Sequence, residues 1–209
     1  MSTPRPIHRA TAADAPALAE ALARAFADDP IVTWAFPELR VRTRRLPRFF
    51  AWSLRKHVPQ GASWTTPASN AAALWAEPGQ WKETPWEAIR LVASLGPSVG
   101  RRSARVVRGL TDIEGCHPDG RHLYLAVLGV DTPLQGTGIG SALLGPGLQR
   151  CDEEGLPAYL ETAKERNVAF YERHGFVVRD HFTLPNGPPV WTMWRDPSSD
   201  TPPLRAAPR

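Results

Sequence analysis

Residues 135–141, Q-G-T-G-I-G-S, combine residue types and spacing that suit a phosphate. The apolar run Leu123–Val130 before them predicts a buried strand, and apolar positions from Leu143 to Cys151 recur on one face of a predicted helix. The first N–H groups of a helix are unpaired and carry partial positive charge, which attracts anions. Glycines leave room for the anion because no Cβ intervenes. The order strand, glycine turn, helix therefore predicts an anion site.

Two other nucleotide-binding motifs do not fit this turn. It lacks the Gly-Lys-Ser/Thr of a P-loop, which argues against ATP held through magnesium. It also departs from the motif G-x-G-x-x-G, because Ser141 occupies the position where that motif has its third glycine or an alanine. A Rossmann turn also opens its domain, whereas this one comes late in the chain.

The elements that must position this turn favour an α/β fold. The first half is mainly helical and the second half reads β-α-β-α-β-β, which gives a sheet with helices on both faces. Pro47 is expected in the first turn of its helix, where the missing N–H costs little. Predicted helices cover 12–27, 46–57, 86–95, 98–110 and 167–174, besides the one after the glycine turn; predicted strands cover 7–9, 63–66, 71–75, 122–130, 157–162, 176–184 and 190–194.

Length and composition predict one globular domain over residues 1–196. Residues 197–209 are Pro-rich and without apolar pattern, so we expect a disordered tail.

The net charge of +4 is too small to indicate a nucleic-acid partner. The sequence shows neither an apolar run of membrane-spanning length nor an apolar leader, which predicts a cytoplasmic protein without membrane contact. Cys116 and Cys151 are expected to be reduced thiols.

The motifs of the second half together resemble a known family. L-G-V-D at 128–131, followed by Q-x-x-G-x-G and a helix, is similar to the acetyl-CoA site of the GNAT acyltransferase superfamily. Y-L-E-T at 159–162, Asn167 and F-Y-E-R-H-G-F at 170–176 resemble its second signature. A-F-A-D-D-P at 25–30 and W-T-T-P at 64–67 add a looser resemblance to the puromycin N-acetyltransferase type.

The resemblance implies a fold and a cosubstrate. The fold would be a GNAT-like mixed, mainly antiparallel sheet whose two central parallel strands, 122–130 and 157–163, splay apart with helices on both faces. Acetyl-CoA would lie in the splay as cosubstrate, with no metal. The residues implied to bind it are Leu128, Gly129, Val130, Gln135, Gly136, Thr137, Gly138, Ile139, Gly140, Ser141, Asn167 and Tyr171.

Three side chains have an implied chemical role and a plainer alternative. Tyr171 matches the tyrosine that faces the sulfur of coenzyme A, and a phenol with a pKa of about 10 can donate a proton to a departing thiolate. The alternative is a core tyrosine. Glu161 is the candidate base or else half of a structural ion pair, because a carboxylate in an apolar strand is unusual unless paired. Asn167 would bond the pantetheine arm or else cap a helix.

The acceptor is expected to be a primary amine on a small, antibiotic-like or aminonucleoside-like molecule, acetylated directly in a ternary complex by a monomer or homodimer. An excess of aromatic residues in the first half indicates a pocket for aromatic or apolar bulk. The alternatives are a protein or peptide N-acetyltransferase and a non-catalytic acyl-CoA sensor. The candidate acceptor-binding residues are Asp29, Trp34, Trp75, Tyr124, Glu161 and Trp191.

Overall fold

The computed structural model describes residues 6–82 and 103–198, which contain one seven-stranded sheet in the order β1-β2-β3-β4-β5-β7-β6. The predicted helix over 86–95 and all but the first two residues of the predicted tail lie outside the described residues. The strands are β1 (His8–Arg9), β2 (Trp64–Thr65), β3 (Ala71–Ala76), β4 (Leu123–Val130), β5 (Ala158–Thr162), β6 (Val177–Thr183) and β7 (Pro189–Arg195).

Helices cover both faces of this sheet. One face carries the helix that follows the glycine turn, whose Leu143 and Leu144 pack on Trp75 and Leu160. The other face carries the first helices of the chain. None of the described helices is long and apolar enough to cross a membrane. The helices are α1 (Ala15–Ala25), α2 (Pro30–Ala35), α3 (Leu39–His57), α4 (Ser103–Gly115), α5 (Ile139–Glu154) and α6 (Glu165–Glu172).

All neighbouring strands are antiparallel except β4 and β5, which are parallel. That pair is joined at only two positions, Leu123 with Ala158 and Tyr124 with Tyr159. Beyond Tyr124, β4 also contains a bulge, because Leu74 and Trp75 oppose Val127 and Leu125 and leave Ala126 without a partner. A bulge bends and twists its strand, which helps β4 diverge from β5. The predicted mixed, mainly antiparallel fold with splayed parallel strands is confirmed.

Helices α3 and α6 begin earlier in the chain than predicted. Helix α3 begins at Leu39, so Pro47 lies inside it and not in its first turn. The first seven residues of α3 include four arginines and have no apolar repeat. The repeat on Leu46, Phe50 and Leu54 therefore indicates only the later part of the helix. Helix α6 begins at Glu165 with Lys164 as its N-cap, so the capping alternative for Asn167 is wrong.

Trp34 is a structural anchor between α2 and α4. Its side chain is buried, and its indole N–H donates to the carbonyl of Pro185 at 3.2 Å. A Cβ built on Gly109 of α4 would lie only 2.5 Å from the Trp34 ring. Gly109 therefore permits the close approach of α4 to α2.

We predict that Gly109→Ala lowers the free energy of unfolding by about 1–3 kcal/mol, although alanine favours helices, because the added methyl overpacks the Trp34 contact. Gly115→Ala in the same helix is the matched control, since a Cβ there meets nothing within 4 Å. Urea unfolding should show a change of less than about 0.5 kcal/mol for the control. Equal stabilities for the two variants would contradict this role of Gly109.

Candidate active site

The glycine turn is built by local capping and two glycine conformations. Asp131, directly after β4, accepts a hydrogen bond from the N–H of Thr132 at 2.9 Å and is held by the guanidinium of Arg24 at 2.7 Å. A 3-10 turn, Thr132–Leu134, follows. Gly136 and Gly138 then adopt φ of +74° and +84°, a left-handed conformation that favours glycine. The chain thereby turns sharply from β4 into α5.

The start of α5 presents unpaired backbone donors. Gly138 is the N-cap and has no side chain to bond the N–H groups of the first turn. The hydroxyl of Thr137 donates to the carbonyl of Leu134 at 2.6 Å, so it is turned back into the loop. The amide of Gln135 donates to the carbonyl of Val130 at 3.1 Å. The helix N-terminus therefore remains available to an anion.

These donors open on a cleft of about 550 Å³, the glycine-turn cleft, between the C-terminal half of β4, the N-terminus of α5 and α6. It gathers the residues predicted to bind the cosubstrate, apart from Thr137. The predicted residues that line it are Leu128, Gly129, Val130, Gln135, Gly136, Gly138, Ile139, Gly140, Ser141, Asn167 and Tyr171. Asn167 also donates through its side-chain amide to the hydroxyl of Thr162 at 3.3 Å.

Three basic side chains, Lys164, Arg166 and Arg173, also line the glycine-turn cleft. Lys164 pairs with Asp28 at 2.6 Å, which joins the α1–α2 connection to the start of α6. This hydrogen bond, with the positive charges of Lys164 and Arg166, lowers the pKa of the Asp28 carboxyl against a smaller opposing effect of burial. Thr137 brings no charge to the glycine turn, and the residues at the start and end of α6 supply positive charge to the cleft instead.

Tyr171 and Asp29 both line the glycine-turn cleft and lie close enough to interact electrostatically. Burial raises the pKa of the Tyr171 phenol, and the nearby Asp29 carboxylate raises it further, so the phenol stays protonated at neutral pH. Asp29 is the N-cap of α2 and accepts from the N–H of Ile31 at 3.0 Å. Burial raises the pKa of this carboxyl too, partly offset by its backbone hydrogen bonds. Tyr171 is thus kept in its proton-donating form.

A second, mostly apolar cavity of about 330 Å³ lies beside α3 and α4, and we name it the aromatic cavity for the Phe, Trp and Tyr side chains in its wall. Two of the predicted acceptor residues, Tyr124 and Glu161, line it. Its other walls include Phe49, Trp52, Trp81, Val127 and His117.

The two cavities are neighbours along β4, and the glycine-turn cleft also reaches Ala25 and Phe26 at the end of α1. Val127 lines the aromatic cavity and packs with the cluster under α1 and α3, whereas its neighbour Leu128 lines the glycine-turn cleft and packs with the cluster under α5. Across the gap, Glu161 of β5 borders the aromatic cavity and Lys164 borders the cleft. The unpaired stretch between β4 and β5 is therefore the place where the two cavities approach each other.

The structure does not bring the remaining acceptor candidates to the aromatic cavity. Asp29 lines the glycine-turn cleft, and Trp34 packs between α2 and α4. Trp75 is fully buried against Gly147 of α5, where a Cβ would lie 2.4 Å from its ring. Trp191 on β7 packs beside His181 at 5.6 Å between ring centroids.

Sequence reasoning missed His117, whose ring lies in the wall of the aromatic cavity. It lies 3.7 Å from the Glu161 carboxylate and 2.7 Å from His122. His117 stands in a turn, C-H-P-D-G, and only its spacing of five residues from His122 offered a signal. Among the described residues, no group of three or more His, Cys, Asp or Glu is arranged to hold a metal ion.

Comparison with known proteins gives a consistent family. A model of the acetyltransferase (GNAT) family matches residues 63–176. An uncharacterised N-acetyltransferase of Schizosaccharomyces pombe is 27% identical over 208 residues, covering 92% of this chain and 84% of that protein. A mycothiol acetyltransferase of Propionibacterium freudenreichii is 37% identical over 122 residues, but the match covers 53% of this chain and only 38% of that enzyme.

A solved structure from Corynebacterium glutamicum, described as a histone acetyltransferase and related acetyltransferase, has the same fold. It superposes with a TM-score of 0.70 at 27% identity, covering 95% of this chain and 99% of that one.

We predict that the Gly138→Asp variant binds coenzyme A with a Kd at least about ten times that of the Gly138→Asn variant. This ratio corresponds to a difference in binding free energy of about 1.4 kcal/mol. Both variants place a branched polar side chain at the same left-handed position, which Asn and Asp tolerate better than other residues. Only Asp adds negative charge at the helix N-terminus. Calorimetry giving both variants the same affinity would contradict an anion site there.

Proposed function

The chain belongs to the acetyltransferase (GNAT) family, and from this premise we propose that it transfers the acetyl group of acetyl-CoA to a primary amine of a small molecule. The observation that carries the proposal is the pair of neighbouring cavities along β4, one lined by Leu128 and the other by Val127. One has the anion-binding features that a nucleotide cosubstrate needs, and the other has aromatic walls.

The cosubstrate would be held mainly by backbone. The first N–H groups of α5 are unpaired and positively polarised, which suits a pyrophosphate. Lys164, Arg166 and Arg173 supply the positive charge that such a polyanion requires. Beyond Tyr124, the edge of β4 that faces β5 has no ladder partner, so its N–H and C=O groups can bond an extended amide-containing arm. The thioester at the end of that arm would lie in the gap between the strands.

The acceptor amine would enter from the aromatic cavity. Its volume of about 330 Å³ is within the range of small-molecule sites and contains the Glu161 carboxylate among aromatic walls. Carboxylates and aromatic faces both attract an ammonium group. The amine nitrogen would attack the thioester carbonyl in a ternary complex, and Tyr171, on the cleft side, would protonate the departing thiolate.

The names of the relatives point to different kinds of acceptor. The mycothiol acetyltransferase among the relatives is named for a small molecule, whereas the Corynebacterium structure is described as a histone acetyltransferase. None of the relatives named above is a puromycin acetyltransferase, so the puromycin type and a role in antibiotic resistance rest on the sequence resemblance alone. We favour the small amine because the aromatic cavity is small and lined mostly by apolar side chains.

We predict that Tyr171→Phe lowers turnover by about 10²–10⁴-fold, the usual contribution of a positioned acid, while acetyl-CoA affinity stays within about twofold. The phenylalanine keeps the buried ring and removes only the hydroxyl. Single-turnover rates measured with saturating acetyl-CoA test this. A variant that matches the wild-type rate when chemistry is limiting would leave Tyr171 with a packing role alone.

We predict that a panel of arylalkylamines and aminonucleosides, incubated with the enzyme and acetyl-CoA, includes compounds that gain one acetyl group. Lysine-containing peptides in the same assay should remain unmodified, because the aromatic cavity has the volume of a small-molecule site and a mostly apolar lining that offers few partners to a polar peptide backbone. Mass spectrometry reads both outcomes. Acetylated peptides without any acetylated small amine would favour the protein or peptide acetyltransferase, and binding of acetyl-CoA without any product would favour the sensor.

A further inference from the structure

A chain of buried polar side chains leads away from the aromatic cavity through His117. The Nδ1 atom of His117 lies 3.7 Å from an oxygen of Glu161, and its Nε2 atom lies 2.7 Å from Nε2 of His122. His122 Nδ1 in turn lies 3.0 Å from the carbonyl oxygen of Gly120. The side chains of His117 and Glu161 are only 2% and 9% exposed. Glu161, His117 and His122 thus lie in a row, with a hydrogen bond between the two histidines.

The hydrogen-bond network assigns the tautomers of the two histidines. The carbonyl of Gly120 only accepts, so His122 must carry its hydrogen on Nδ1. A neutral His122 then has a bare Nε2, which only accepts, and His117 must donate to it from its own Nε2. Neutral His117 is left with a bare Nδ1 on the side of Glu161. The network therefore aims the basic nitrogen of His117 at the carboxylate that borders the aromatic cavity.

Of the two neighbouring histidines, His122 is the one that stays neutral. Burial lowers the pKa of His122, and a positive charge on His117 lowers it further, so His122 stays neutral. The His117 ring stacks on Trp81 at 3.3 Å and meets the edges or faces of Tyr124 and Tyr159 at 4.8 and 4.7 Å between ring centroids. Aromatic faces attract a cation, as does the Glu161 carboxylate.

Titratable groups approach His117 from each element packed around it. Helix α3 contributes His57 and helix α4 contributes Glu114 to the same cavity, and Cys116 precedes His117 in the turn. His122 directly precedes β4, which contributes Tyr124, and β5 contributes Tyr159 and Glu161. The hydroxyl of Tyr159 donates to the carbonyl of Cys116 at 3.3 Å, which ties the turn to β5. The Lys and Arg side chains of the glycine-turn cleft do not line this cavity, so His117 faces carboxylates and aromatic rings.

We propose that His117 is the general base of the acetyl transfer, with Glu161 stabilising its protonated form and His122 fixing its tautomer. The proposal rests on the proposed function above. Histidine is the side chain that most often acts as a general base in proteins, and the bare Nδ1 of His117 lies where the Glu161 carboxylate can stabilise the proton that it receives.

Protons and bonds balance in this scheme. An ammonium in the aromatic cavity gives one proton to Nδ1 of His117, directly or through one water. The neutral nitrogen forms the C–N bond, the C–S bond breaks, and the thiolate takes the proton of Tyr171. The second proton of the new amide nitrogen restores the Tyr171 phenol. His117 then releases its proton to solvent, and the net products are the amide, the free thiol of coenzyme A and one proton.

The first test needs no acceptor. Nitrogen-15 NMR of the full-length protein with labelled histidine should show His122 as the Nδ1–H tautomer and neutral His117 as the Nε2–H tautomer. Glu161→Gln should shift the ring nitrogens of His117 and leave those of His8 unchanged. A neutral His117 with its proton on Nδ1, or a His122 with a bare Nδ1, would overturn the proposal even if the enzyme acetylates amines.

The second test uses the pH dependence of kcat/KM, with acetyl-CoA and 2-phenylethylamine as probes. His117→Gln should lower kcat/KM about 10²-fold at neutral pH and recover at least about tenfold in alkaline solution, where more of the amine is already neutral. The KM for acetyl-CoA should not change, since its cleft does not include His117. Glu161→Gln, which preserves shape, should show a smaller loss with the same recovery.

His8→Gln is the matched control, because His8 lies on β1 with 43% of its side chain exposed. It should retain the wild-type profile. An equal loss for His117→Gln at every pH would indicate a structural role and overturn the proposal. If wild-type enzyme acetylates no amine, the proposed function fails while the NMR result still decides the histidine arrangement.

Discussion

Strands β4 and β5 run side by side for only two residue pairs and then separate, and the site depends on that separation. A fully paired sheet would satisfy the backbone of both strands and close the passage between its faces. The bulge at Ala126 bends β4 away, and Gly129, where a Cβ would lie 2.4 Å from Leu22, lets α1 pack closely against the diverging strand. The same unpaired stretch exposes backbone to an extended cosubstrate and lets the two cavities approach each other.

The two sides of the gap are chemically different because different elements build them. The N-terminus of α5 and the basic residues of α6 place positive charge along the glycine-turn cleft, with Tyr171 protonated within it. Helices α3 and α4 give the aromatic cavity apolar walls, and β5 adds Glu161. Amide formation from a thioester and an ammonium needs a proton donor for the departing thiolate and a proton acceptor for the ammonium. In the proposed scheme Tyr171 is the donor on the cleft side, and His117 with Glu161 accepts the proton on the other side.

Local pattern predicted the α/β class and the glycine turn, because a strand, a glycine-rich turn and a helix are consecutive in the chain. The mainly antiparallel sheet with splayed strands was predicted from the family resemblance. The acceptor side resisted prediction for a physical reason. Tryptophan at positions 34 and 75 is as hydrophobic in a core as in a pocket, and only the packing against Gly109 and Gly147 distinguishes the two. The row from Glu161 to His122 depends on a turn meeting β5, and spacing along the chain does not encode that contact.

If the two cavities meet at the gap between β4 and β5, one molecule of sufficient length can occupy both of them. The most direct test is the calorimetric affinity of a conjugate in which the sulfur of coenzyme A is joined through a –CH₂–C(=O)– group to the nitrogen of 2-phenylethylamine. If the gap connects the cavities, the conjugate should bind at least about a hundredfold more tightly than coenzyme A alone, because its second half binds intramolecularly. An affinity equal to that of coenzyme A would show that the aromatic cavity is not reached from the cleft and would contradict the account.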